Sequence, residues 1–301
     1  MSEMKKDHQP ALEIEDQIAN LKAIGLSFVD EERAKRILSS ISYFRLVKAY
    51  SLRLKDNQGI YYPGVTFEQI YELYCFNKEF RNLLFPLIED LEVSLRCRIG
   101  NYIGSKYGVE GYLDKDIFRD EDNYIVIRNE IDNAIKYNSM SPFVKNFQKK
   151  YNGGNLPIYA LCEILTFGTI SKLYKNMLNV DKKAIAKDYG VPYVYLESWI
   201  ESIAHIRNIC AHYGRLYNAK LTKTPKLFSY YNEINEDRDN NQKIRNNRVF
   251  GVLLCLKELT ESSRWDSFVT GLISLKSSYT NVNLSTMGFP KDWQEFLVRE
   301  K

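Results

Sequence analysis

Residues 66–106 read TFEQIYELYCFNKEFRNLLFPLIEDLEVSLRCRIGNYIGSK. Phe80, Leu84, Leu87, Leu91, Leu95 and Ile99 recur at the spacing of one helix face. The stretch therefore predicts a single long helix from about Phe67 to Lys106, opened by Thr66. Pro86 sits inside it; lacking an N–H and crowding the preceding turn, it predicts a kink or a division. A segment of this length that reads as helix throughout sets the class as all-α, and the rest of the chain agrees. Upstream, residues 11–25 form a short amphipathic pattern ending at Gly25, a helix C-cap. Asp30 is placed to cap a second helix through Ser39, with Glu31 and Glu32 in its first turn. Downstream, further helices are predicted at about 121–137, 141–150, 157–178, 181–188, 192–213, 247–262 and 264–278, with a short last one near Trp293.

Between these elements the reading is less regular. Residues 41–55, ISYFRLVKAYSLRLK, are apolar and aromatic with four basic residues and no acid. DNQG then breaks the pattern, and YYPGVTF reads as a loop or a short extended piece. Residues 214–246 are polar and basic, with TKTPK and NEDRDNNQ as loops, and residues 1–10 read as a loose tail. Strand alternation, internal repeats and low-complexity runs are absent. The expected architecture is a helical bundle with additional N- and C-terminal helices, organised as an extension over residues 1–65 and a helical domain over 66–301.

Of the 301 residues, 45% are hydrophobic, which supports a proper core and excludes a disordered chain. The net charge of +4 comes from 42 basic and 38 acidic residues. That balance does not by itself announce a nucleic-acid partner, so only local clustering can carry such an argument. Cys75, Cys97, Cys162, Cys210 and Cys255 are scattered, odd in number and contain no CxxC pair. They predict reduced, buried thiols in a cytoplasmic protein. No apolar run spans about 18 residues, and MSEMKKDHQP is no signal core, so no membrane span is expected.

The chemistry-bearing residues gather in RNICAH, residues 207–212. Histidines are scarce: His8, His205 and His212. On a wheel of the 196–212 helix, Leu196, Trp199, Ile200, Ile203, Ile206 and Cys210 share one arc, and Glu197, Glu201, His205, Asn208 and His212 the opposite one. Arg207 lies at the margin of the apolar arc, roughly 140° from His212. A charge there needs a partner, because an unpaired buried charge is costly. Glu92 intrudes in the same way on the stripe of Ile88, Leu95 and Ile99, so the two are best explained by one another, with Arg96 one turn away sharing the carboxylate. Such a pair is either purely structural or a device that aims Arg207 at a phosphate beside His212. His212 itself is either a plain helix cap before Gly214 or a proton carrier. Its surroundings favour RNA: Arg215, Lys220, Lys223 and Lys226 follow without an acid, and Tyr213 and Tyr217 interleave as base-stacking platforms. The alternative is an ordinary solvated basic loop. The pair His205 and His212 at i, i+7 does not make a metal-ligand set, and no metal or cofactor is expected.

RNICAHYGRLYN, residues 207–218, resembles the signature of the Abi-like (AbiD/AbiF) family of bacterial abortive-infection proteins. ISYFRLVKAYSLRL looks like that family's tyrosine-rich block, GVTFEQIYELYCFNKEFRNLLFPLIEDLEVSLRCRIG its long central helix, and PIYALCEILTFGTISKLYKN its later helix with Phe167-Gly168. The resemblance runs in order over roughly residues 20–260. It implies a HEPN-like bundle whose R-x4–6-H motif forms a metal-independent endoribonuclease site, with Arg207, Asn208 and His212 as its catalytic residues. It also implies a homodimer in which two motifs face one another, action as a toxin in phage defence, and restraint by a small noncoding RNA or a protein antitoxin. Some toxins of that type carry a modifiable tyrosine two residues after the histidine; here that position is Gly214. The resulting expectation is RNA cleavage by 2′-OH attack, leaving 2′,3′-cyclic phosphates. The alternatives are a non-catalytic module that holds a regulatory noncoding RNA, and a phage-sensing interaction protein.

Overall fold

Thr66 opens the long helix with a reciprocal box. Its Oγ1 accepts from the Gln69 amide at 3.2 Å, and the Gln69 side chain accepts from the Thr66 amide at 3.2 Å. In the computed structural model, which describes residues 11–232 and 244–299, this helix (α3) runs unbroken over Phe67–Tyr107. It follows α1 (Ile14–Ala23) and α2 (Glu31–Ser40). Asp30 caps α2 as its sequence implies, accepting from the Arg33 amide at 2.9 Å. The tail 1–10 and the NEDRDNNQ loop lie outside the described residues.

Pro86 does not divide α3. A mid-helix proline costs about 3 kcal/mol. Here Leu84, Ile88, Leu95 and Ile99 around and beyond it are fully buried, and burial of that size offsets the lost hydrogen bond.

The later helices are α4 (Glu121–Tyr137), α5 (Pro142–Lys150), α6 (Ile158–Ile164), α7 (Phe167–Asn176), α8 (Asn179–Lys187) and α9 (Tyr193–Ala211). After them come α10 (Val249–Leu259), α11 (Ser262–Ser278) and α12 (Trp293–Leu297). The class is all-α, with no strand among the described residues, only isolated bridges. One expected element is corrected. The helix predicted over 157–178 is two helices, broken at Leu165 and Thr166. Thr166 caps α7 through the Thr169 amide at 3.1 Å, and the Arg96 guanidinium reaches the carbonyls of Cys162 and Leu165 at the end of α6. Both freed helix ends are thereby satisfied.

The chain divides into two compact units, residues 1–79 with 275–282 and residues 80–274 with 283–301; the division falls inside α3. In the first unit α1 packs on α2, Phe28 stacks on Phe67 at 5.4 Å, and the aromatic-basic stretch forms a π-helical turn over Phe44–Lys48. YYPGVTF is pinned by bridges from Tyr61 to Lys55 and from Thr66 to Ser27. In the second unit α9 packs against α7, α8 and α10, and α7 also packs on α4. Leu196, Ile200, Ile203 and Ile206 of α9 are fully buried, so this helix is the spine of the second unit's core. Cys162, Cys210 and Cys255 are buried, as expected of packing thiols, but Cys97 is exposed and Cys75 only half-buried. Cys97 shares the outward side of α3 with exposed Val93, away from the Leu91–Leu95–Ile99 stripe. Among the described residues no helix is long and apolar enough to cross a membrane.

Candidate functional site

The site is built on the C-terminal half of α9. The apolar arc read from the sequence is buried, and on the opposite arc Glu197, Glu201 and His205 are half-buried while Asn208 and His212 are exposed. Arg207 falls between the two. Its Nε donates to Glu92 Oε2 at 2.9 Å. The other oxygen of Glu92 takes Arg96, so one carboxylate of which the side chain is 10% exposed holds two guanidinium groups. Arg96 is itself 11% exposed, whereas Arg207 is 30% exposed. The inner arginine therefore closes the core, and the outer one presents part of its fork to the surface.

Five residues on, the helix ends. The His212 amide donates to Asn208 O at 3.0 Å, the Tyr213 amide to Cys210 O at 3.1 Å and the Gly214 amide to Ile209 O at 2.7 Å. Tyr213 holds the left-handed conformation of this cap, with φ of 55°. Gly214 is required by contact rather than by φ: a Cβ there would lie 2.9 Å from Ile209 Cγ2 and 3.0 Å from its carbonyl oxygen. Buried Arg81 of α3 fixes the turn from beneath, donating to Gly214 O at 2.8 Å. Sequence reasoning missed Arg81, although a basic residue beside Phe80 on the apolar stripe is the same kind of signal as Glu92. Cys210 packs beneath this turn, and burial pushes its thiol up to about 12, which keeps it protonated and unreactive.

The basic, aromatic run does not form one surface. Tyr213 is 69% exposed, but Tyr217 is 7% exposed, buried like Leu216 and Leu221. The expectation that Tyr217 offers a stacking platform is thereby corrected; the chain after Gly214 turns its second tyrosine inward. Arg215 is half-buried, and Lys220 and Lys226 are exposed. Lys226 is held by its backbone, its amide donating to Ser198 Oγ at 2.9 Å and its carbonyl accepting from Trp199 Nε1 at 2.5 Å. Lys223 pairs with Glu201 at 2.7 Å.

Asn208 and His205 face a different neighbour from Arg207. They line a cleft of about 420 Å³ between α4, α7 and α9. Burial, and then the charge of Lys223, hold the His205 imidazole below its ordinary value of 6.5. On the same arc, Glu197 bonds the fully buried Lys182 at 2.6 Å, so it serves packing. Among the described residues no group of three or more His, Cys, Asp or Glu side chains is placed to hold a metal ion.

These features define an all-helical protein whose Arg–His motif closes a central helix, its arginine anchored on a buried carboxylate and its histidine exposed at the capped end. The chain belongs to the Abi-like protein family, which it matches over residues 36–218. The matched span contains all of the Glu92–Arg96–Arg207 cluster and His212. No curated protein and no solved structure matches the chain with significance.

Proposed function

We propose that this protein is a metal-independent endoribonuclease of the HEPN type that acts in abortive infection against phage. The observation that carries the reading is the geometry of Arg207: its Nε edge is spent on Glu92, while the partly exposed remainder of the guanidinium stays available to an anion, about one and a half helical turns before an exposed histidine. Arg207 in this role binds the non-bridging oxygens of the phosphate and stabilises the charge that grows on them in the transition state. His212 removes the proton of the ribose 2′-OH as that oxygen attacks the phosphorus, or returns a proton to the departing 5′-oxygen. The O2′–P bond forms, the P–O5′ bond breaks, and the products carry a 2′,3′-cyclic phosphate and a 5′-hydroxyl. One motif supplies one histidine for a step that needs a base and an acid, so the working form is a symmetric dimer with two motifs on one cleft. A small noncoding RNA or a protein antitoxin would restrain it.

The test is to incubate the purified chain with total RNA, with and without EDTA, and to map the ends. Cuts with cyclic phosphate ends that EDTA does not suppress are expected. RNA that is retained but never cut would replace this reading with that of a binding module. Light scattering at micromolar concentration reads the dimer, and a fully active monomer would overturn the two-motif arrangement.

A further inference from the structure

The cleft beside the motif has the make-up of a ligand site, and no step of the reaction above uses it. Its volume of about 420 Å³ is within the range of small-molecule pockets. Val126 and Ile127 of α4 and Ala204 of α9 form an apolar wall. Arg119, Lys172, Lys175 and Lys223 also line it, against a single lining acid, Glu201. That acid sits between two of the amines: Lys175 reaches Glu201 Oε2 at 3.1 Å and Lys223 reaches Oε1 at 2.7 Å. Both lysine side chains remain about half exposed, at 51% and 54%, and each ammonium has three donors. Glu201 thus does for these amines what a phosphate would do, placing negative charge between them. Burial raises its carboxyl and the two lysines outweigh that effect, so it stays ionised.

Two polar groups complete the lining on the α9 side. His205, held neutral by burial, offers one ring nitrogen as donor and one as acceptor; Nε2 lies 3.4 Å from Thr222 Oγ1. Asn208, the second residue of the motif, stands about one turn further along. From His205 to His212 the helix rises about 10.5 Å, a separation that a short single-stranded segment bridges.

We propose that this cleft is a nucleotide subsite, which seats one nucleotide of the RNA strand next to the phosphate at His212. Its phosphate sits on Lys175 and Lys223, and its base lies on Val126, Ile127 and Ala204 with Asn208 and His205 at the edge. The subsite rests on the reading of the motif as RNA-cleaving, and Glu201 sets its affinity by competing with the phosphate for the two amines.

The test uses the full chain carrying His212→Ala, so that RNA is bound and not cut, and a fluorescent oligoribonucleotide read by anisotropy across salt concentrations. Adding Glu201→Gln releases both amines and is expected to tighten binding several-fold, a gain that no folding defect can imitate. The triple change Glu201→Gln, Lys175→Gln, Lys223→Gln removes the charges together and is expected to weaken binding at least tenfold. It should also reduce the slope of log Kd against log salt by about 0.7, the value for one phosphate contact on a single strand. Adenosine monophosphate serves as competitor: displacing the oligonucleotide only at far higher concentration supports a site for a nucleotide within a chain. Tight binding of the free nucleotide with RNA affinity indifferent to the triple change overturns the proposal, and so does unchanged RNA affinity in both variants. Cleavage is scored separately in proteins that retain His212. Cleavage without the binding effects would sink the subsite alone, and the binding effects without cleavage would sink the nuclease reading alone.

Discussion

Glu92 and Asp181 are both buried carboxylates that tie α3 to a later helix, and they are satisfied in opposite ways. Asp181 of α8 is fully buried and accepts from the hydroxyls of Tyr102 and Tyr107, each at 2.8 Å, and from Lys106. Burial raises its carboxyl, but those three donors outweigh burial and hold it below the ordinary carboxylate range. Every partner comes from the last turns of α3, and none belongs to the motif. Glu92 instead takes two arginines, and the outer one, Arg207, is 30% exposed and part of RNICAH. Lys106 is itself 40% exposed, so exposure of the cation does not separate the two sites. What separates them is chemistry: Asp181 is held by phenols and a point-charge ammonium, whereas the Arg207 guanidinium spends one edge on Glu92 and keeps the rest of its fork. Under the proposed function, that fork is what distinguishes the Glu92 pair from a purely structural one.

The largest effect should come from Glu92→Ala. It strands two guanidinium groups, one of them in the core, and should lower stability by about 3–5 kcal/mol, measured by chemical denaturation. Asp181→Ala should follow at about 2–4 kcal/mol, because it empties a fully buried site and leaves two half-buried tyrosine hydroxyls without their acceptor. Its folded fraction should cleave RNA at the wild-type rate; a specific loss of cleavage there would erase the distinction between the two carboxylates. Because the Asp181 carboxyl is depressed in the folded state, its contribution is present above the unfolded value of 3.8 and is lost as pH falls below it. Asp181→Asn should therefore flatten the acid limb of the stability curve. Arg207→Ala should cost less, about 1–3 kcal/mol, since Arg96 still neutralises Glu92. Arg207→Lys should restore most of that stability and none of the cleavage, because an ammonium cannot serve Glu92 and a phosphate at once in the forked geometry.

The smallest effect concerns His205. Its folded-state pKa lies below 6.5, so the unfolded chain takes up the proton first as pH falls. The stability present above about pH 6.5 should decline beneath it, and His205→Gln should remove that part of the decline. Denaturation midpoints at about pH 7.5 and 5.5 compare the two proteins. An identical drop in both would show that the imidazole, beside Lys223 and Glu201, plays no part in it.

Much of this was legible in the chain. Apolar spacing placed α3, α4 and α9 close to their observed ends, because long amphipathic helices are set by local periodicity. The Glu92–Arg207 pair was legible for a different reason: two opposite charges, each on an apolar face, must find one another. What periodicity could not show is where side chains go once helices cross. The break at Leu165 depends on Arg96, a residue far away in sequence, which caps the end of α6. Tyr217 turns inward because the chain reverses after Gly214, and Lys223 faces Glu201 and Lys175 rather than continuing a basic ridge. The neighbours Arg207 and Asn208 lie about 100° apart on the helix, so one faces Glu92 and the other the cleft. A linear motif does not reveal that split.

The most direct measurement takes one preparation of His212→Ala and reads both its unfolding and its cleavage of total RNA beside the wild type. His212 is exposed at a cap made by backbone groups and by Arg81, so its removal should shift stability by less than about 1 kcal/mol. The expected result is a protein that unfolds like the wild type and leaves RNA uncut. Cleavage at the wild-type rate by that equally stable variant would contradict the assignment of His212 to the chemistry.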